Sequence, residues 1–195
     1  MYVSPSGNDE TGDGTQENPW ATIQKAVDEC PPSFAVKKYY CVWIEDGTYT
    51  GDVTIADRRM RIYAVNRSSG NVTIKGNLTI ERSTIDLRVP LTIDVSTEIK
   101  YGLTVTYGSS VWLENPLTIN SNKLANYLTC IYMAAGAFMQ INNNVTLNNA
   151  IKGMAIHLGS ILWVVGGTIT NCTNGIEVKG AIVTHQLPFS YNSVS

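Results

Sequence analysis

Between Gly102 and Gly180 the chain repeats itself, and the repeat admits few folds. Aligned on glycine, four segments match: LTVTYGSSVWLE (103–114), IYMAAGAFMQI (131–141), MAIHLGSILWVV (154–165) and IEVKGAIVTH (176–185). Each is a short strand, a Gly followed by a small residue, and a second short strand. A third strand follows in three of them: PLTIN (116–120), NVTLN (144–148) and GTITN (167–171). Gly108, Gly136, Gly159 and Gly180 are 28, 23 and 21 positions apart, a drifting period in the range of solenoids. Three strands per repeat predict a single-stranded parallel β-helix with three-strand rungs. A sandwich or a βαβ unit does not produce this pattern.

The bulk properties agree with one solenoid domain. The 195 residues are 44% hydrophobic and only 15% charged, which suits a coil whose rungs stack like residue on like residue. A net charge of −2 leaves no electrostatic footprint for nucleic acid. No run of 18 apolar residues predicts a membrane span, and the N-terminus shows no signal-peptide pattern. Cys30, Cys41, Cys130 and Cys172 are widely spaced and are expected as buried free thiols; separation alone also allows a Cys30–Cys41 bridge.

Residues 2–4 read as a strand, and 4–18 as a polar loop. Its acids Asp9, Glu10, Asp13 and Glu17 are hard oxygen ligands of the kind calcium takes, but their spacing matches no calcium loop, so a solvated acidic loop and no cofactor are expected. A helix is predicted next, capped by Asn18 with Pro19 in its first turn. Its apolar stripe is Trp20, Ile23, Ala26, Val27 and Cys30, and Pro31–Pro32 stops it. Such a helix covers the raw end of a β-helix core. The chain thus divides into an opening strand, loop and capping helix (1–38) and a β-helix of roughly six or seven rungs (39–195). The tail HQLPFSYNSVS makes no polar cap, so its end is expected to be covered by further chain or another subunit.

The opening YVSPSGNDETGDGTQENPWATIQKAVDEC, with VWIEDGTY after it, resembles the start of the pectate-lyase-like right-handed β-helix proteins. It is most similar to the version in bacteriophage tail fibres and tailspikes. That resemblance implies a right-handed coil and a virion-tail or extracellular protein that engages cell-surface polysaccharide.

Strand alternation assigns the side chains. On the strand before each glycine, Leu103, Val105, Ile131, Met133, Met154, Ile156, Ile176 and Val178 point inward. Tyr132, His157, Glu177 and Lys179 then gather outside on three successive rungs, as the candidate ligand site. On the strand after the glycine, Trp112, Phe138, Ile161, Trp163 and Ile182 point out. This apolar row either binds something flat such as a sugar ring or, as aliphatic Ile beside aromatics favours, forms a subunit interface in a homotrimer. Glu81, Asp86 and Asp94 are expected to face solvent. The acids single out no hydrolase pair. If the chain is catalytic, Glu177, His157 and Lys179 are the candidates.

The reading that follows is a structural, receptor-engaging module of a phage tail fibre or tailspike. The alternative is a polysaccharide lyase or glycosidase on the same fold, and the third a bacterial surface adhesin.

Overall fold

A computed structural model describes residues 1–33, 38–66, 71–95, 101–121 and 128–192. The junction at 34–37 and the last three residues of the tail lie outside the described residues. Strand β1 (Tyr2–Val3) and helix α1 (Ile23–Glu29) precede the coil. Its first two turns are β2 (Tyr40–Ile44), β3 (Gly47–Thr50), β4 (Val53–Ala56), β5 (Arg59–Ala64), β6 (Val72–Lys75) and β7 (Leu78–Glu81). The next two are β8 (Thr84–Arg88), β9 (Leu91–Val95), β10 (Tyr101–Thr106), β11 (Ser110–Leu113), β12 (Leu117–Ser121) and β13 (Thr129–Met133). Then two strands run through a corner without breaking. They are β14 (Phe138–Asn148), followed by β15 (Lys152–His157), and β16 (Ile161–Thr170), followed by β17 (Asn174–Lys179). Strands β18 (Ile182–His185) and β19 (Phe189–Asn192) close the described chain.

Every strand pairs in parallel with its counterpart one turn on, which makes a right-handed parallel β-helix with three faces. The pre-glycine face is β4, β7, β10, β13, β15 and β17, six strands deep among the described residues. The post-glycine face starts at β1 and β2 and runs through β5, β8 and β11 to the first halves of β14 and β16, then β18. The remaining face is β3, β6, β9, β12, the second halves of β14 and β16, and β19.

The glycine turn fixes the coil's pitch. Tyr107–Gly108, Ala135–Gly136 and Leu158–Gly159 are left-handed pairs, with φ of 52 and 69°, 56 and 72°, and 53 and 75°. Two left-handed residues in a row reverse the chain tightly, and Gly takes the second without the steric cost other residues incur. The small residue that follows points inward: Ser109 and Ser160 are fully buried. Ser109 Oγ donates to Thr106 O at 2.6 Å, closing the turn on itself. At another corner, side-chain amides form ladders between turns: Asp94–Asn120–Asn148 at 2.8 and 2.9 Å, and Asn149–Asn171 at 3.1 Å. Inside, Leu, Ile, Val and Met from all three faces stack; Leu103, Val111 and Ile119, one from each face, are fully buried.

Three expectations need correction. The helix starts at Ile23, and Thr22 rather than Asn18 is its cap, its hydroxyl accepting from Lys25 N at 3.1 Å. Trp20 explains the delay: it pairs with Val3 as a β-bridge and its indole N–H donates to Gly12 O, so residues just before the cap stay extended. Cys41 is exposed, because alternation on β2 turns Val42 and Ile44 inward, while Cys30, Cys130 and Cys172 are buried; none of the four is in a disulfide. Asp86 is only 7% exposed, covered by arginines from its own and the neighbouring strand.

Of the loop acids, Asp9 has a structural task. Its carboxylate accepts from Ala21 N, Thr22 N and Thr22 Oγ1 at 2.7, 3.0 and 2.6 Å, tying the loop to the helix cap. Burial raises its pKa, but these bonds outweigh that and leave it lowered. Asp13 likewise accepts from the hydroxyl and N–H of Thr15. No described helix is long and apolar enough to cross a membrane.

Candidate functional site

On the pre-glycine face, strand register places Tyr132 beside Ala155 and Ala155 beside Glu177, with His157 beside Lys179. Ala155 is outward in register but small, and is 2% exposed because its larger neighbours close over it. A small residue between large ones leaves a groove of about 280 Å³, lined by Tyr101, Thr129, Tyr132, Ile151, Lys152, Ala155 and His157.

Aromatic rings form its first wall. Tyr101 and Tyr132 stack with centroids 4.3 Å apart and planes 15° from parallel. His157 meets Tyr132 edge-on, 5.7 Å away at 88°. Burial, then the neighbouring Tyr101 and Tyr107, raises the pKa of the Tyr132 phenol, so its proton stays on at neutral pH.

A charged network forms the second wall. Glu177 accepts from Lys152 Nζ at 2.8 Å, lies 3.1 Å from Lys179 Nζ, and is 2.7 Å from His157 Nε2. The Lys152 hydrogen bond, then that of Lys179, holds the Glu177 carboxyl down at about 2; burial opposes this and His157 assists it. Glu177 is therefore ionised at neutral pH and has no proton to give. An ionised carboxylate only accepts, so Nε2 of His157 carries the proton and Nδ1 is left as its basic nitrogen. Among the described residues no second carboxylate joins this network, which excludes the paired-acid arrangement of a glycosidase here. What the groove offers instead is one imidazole base, one protonated phenol and two ammonium groups.

The four residues picked from sequence, Tyr132, His157, Glu177 and Lys179, do come together. Lys152 and Tyr101 were missed. Both lie one residue before an inward glycine, Gly153 and Gly102, where the strand had been started too late. Strict alternation would turn both inward with Leu103 and Met154; the buried glycines break the alternation there, and cross-strand register sets Tyr101, Thr129 and Lys152 side by side on successive strands.

The five apolar residues expected to form an interface lie on the post-glycine face but in two rows. Phe138, Ile161 and Ile182 are in direct register, with Ile161 and Ile182 41% and 57% exposed. Trp112 and Trp163 belong to the next row, separated by Gln140. Trp112 tilts against Phe138 at 5.8 Å and stands beside Asp86, Arg88 and Glu114, in polar rather than apolar surroundings.

No protein-family model matches the chain, and no curated protein matches it. Among solved structures, a rhamnogalacturonan lyase is similar, with a TM-score of 0.53 over 97% of this chain at 11% identity. The chain spans 62% of the length of that protein. At this identity the likeness is one of fold: the chain is a right-handed parallel β-helix.

Proposed function

We propose that the chain is a polysaccharide-degrading β-helix of the lyase class, acting on an acidic polysaccharide in the groove of the pre-glycine face. The observation that carries this reading is His157 held by an ionised Glu177 between two lysines, beside stacked tyrosines. The likeness of fold to a rhamnogalacturonan lyase supports it.

Elimination at a uronate uses what the groove contains. Lys152 and Lys179 meet the sugar carboxylate and stabilise the negative charge that develops on it. His157 Nδ1 takes the proton α to that carboxylate, and the electrons left behind form the C4–C5 double bond. The C4–O glycosidic bond breaks, and the departing oxygen takes a proton from the Tyr132 phenol. Glu177 orients the imidazole and stabilises its charged form, as a positioning residue. The test is depolymerisation of rhamnogalacturonan and polygalacturonate, read by the ultraviolet absorbance of the unsaturated product. His157→Ala and Lys152→Ala abolish it in this reading, and cleavage that yields only saturated ends refutes it.

A second reading, a receptor-engaging and trimeric module of a phage tail fibre or tailspike, draws on the opening segment and on the exposed Phe138–Ile161–Ile182 row. It requires a stable trimer in light scattering across a concentration series, broken by Ile161→Asp. A monomer at all concentrations counts against it.

A further inference from the structure

We infer that the post-glycine face carries a second glycan-binding groove, built on arginine and aromatic side chains and suited to an acidic oligosaccharide. Two adjoining concavities, of about 420 and 200 Å³, share Arg88 and Glu114. Tyr63 and Asn115 line the first; Tyr39, Asp86 and Trp112 line the second. This face lies across the glycine turn from His157, so the site stands or falls independently of any cleavage there.

Its electrostatics are built around Asp86. Arg88 Nε donates to both carboxylate oxygens at 3.1 and 3.0 Å, and Arg61 Nε lies 3.4 Å from Oδ2. The Arg59 and Arg61 guanidiniums sit over the Tyr39 ring, 4.7 and 4.6 Å from its centroid. Glu114 is held by the Asn142 amide, at 3.1 Å to each oxygen. Two acids thus face three arginines. Arg59 has no carboxylate partner among the described residues, and its Nε is buried without a hydrogen bond. An arginine without a carboxylate partner, stacked on the Tyr39 ring that lines the second concavity, leaves positive charge beside it for a carboxylate. Beside it, Trp112 offers an apolar surface on the next strand to Asp86, as the CH face of a sugar ring requires.

Extent and direction fit a chain-like ligand. From Tyr63 on β5 through Asp86 and Arg88 on β8 to Trp112 on β11, the lining crosses two strand spacings, about 10 Å along the coil axis. A single small anion needs only one guanidinium. The succession arginine, tryptophan, glutamate and asparagine alternates a carboxylate-binding point with an apolar surface and hydroxyl-binding points, as an acidic oligosaccharide does.

The test uses the His157→Ala protein, so that no cleavage interferes, and a sized oligogalacturonate as probe, with a neutral dextran oligosaccharide as control. Binding is read by calorimetry and by tryptophan fluorescence. Arg59→Gln and Trp112→Ala are each expected to weaken oligogalacturonate binding about tenfold or more. Trp112→Ala also removes the fluorescence response, and raised salt weakens binding. Lys152→Ala is the control on the opposite groove. If binding is lost in Lys152→Ala and unchanged in both Arg59→Gln and Trp112→Ala, the second site is overturned. Equal affinity for dextran overturns its acidic specificity. Circular dichroism melts of each variant separate lost binding from lost fold.

Discussion

The two grooves share a plan and differ in one chemical respect. Each centres on a carboxylate held by basic side chains: Glu177 by Lys152, His157 and Lys179 on one face, and Asp86 by Arg61 and Arg88 on the other. In the elimination proposed for the pre-glycine face, the imidazole of His157 moves a proton. Arginine does not give up its proton in proteins, so the groove proposed on the post-glycine face would bind anions without taking part in proton transfer. In the proposed reading the same scaffold presents a reactive groove and a holding groove, on the two sides of the glycine turn.

The largest expected effect strikes both faces together. Leu103, fully buried on β10, lies in the core they share, and Leu103→Ala should cost about 2–5 kcal/mol in thermal or denaturant melts. Activity and binding then fall in parallel with stability, whereas a selective loss at one groove would show that the faces do not share a core. Next, His157→Ala should slow depolymerisation about 100-fold or more, the usual contribution of a positioned base. Gly136→Ala tests the turn between the faces. Its φ of 72° is left-handed, so the methyl should cost about 1–2 kcal/mol in a melt although nothing lies within 4 Å of it.

Glu177 gives a pH signature that sharpens the comparison further. Its folded pKa, about 2, lies below the ordinary 4.5, so the ionised form is the one the fold favours. Its contribution to stability is complete above 4.5 and is lost as pH falls through about 2. Glu177→Gln should flatten that part of the acid-unfolding curve and shift the pH–rate profile through His157. A curve identical to wild type would show that the carboxylate stabilises nothing. The smallest effect belongs to the exposed Arg82–Asp57 pair, 2.8 Å apart outside both grooves. Asp57→Ala should shift the thermal melt only slightly, and less in high salt than in low.

Much of the scaffold was legible because a β-helix writes its turns into the sequence. The glycine after each pre-glycine strand fixes the register, and once the register is known, alternation places Tyr132, His157, Glu177 and Lys179 on one surface. What stayed hidden depends on neighbours that alternation does not show. Asp86 reads as an outward acid and is outward, yet Arg61 from β5 and Arg88 from its own strand bury it, and only cross-strand register brings Arg61 there. Trp112 reads as part of an apolar stripe, but the same register sets it beside that arginine–aspartate cluster. Helix α1 was placed early because Trp20 fits its apolar periodicity. The bridge to Val3 claims that residue first, since a strand pairing at the open end of the coil satisfies backbone groups that a longer helix would leave unmade.

The most direct measurement is the ultraviolet absorbance of products released from rhamnogalacturonan and polygalacturonate by wild type and His157→Ala, side by side at neutral pH. The account predicts unsaturated product from at least one acidic polysaccharide with wild type, and about 100-fold less with the variant. Equal rates from the two proteins, or no unsaturated product from either, would contradict it.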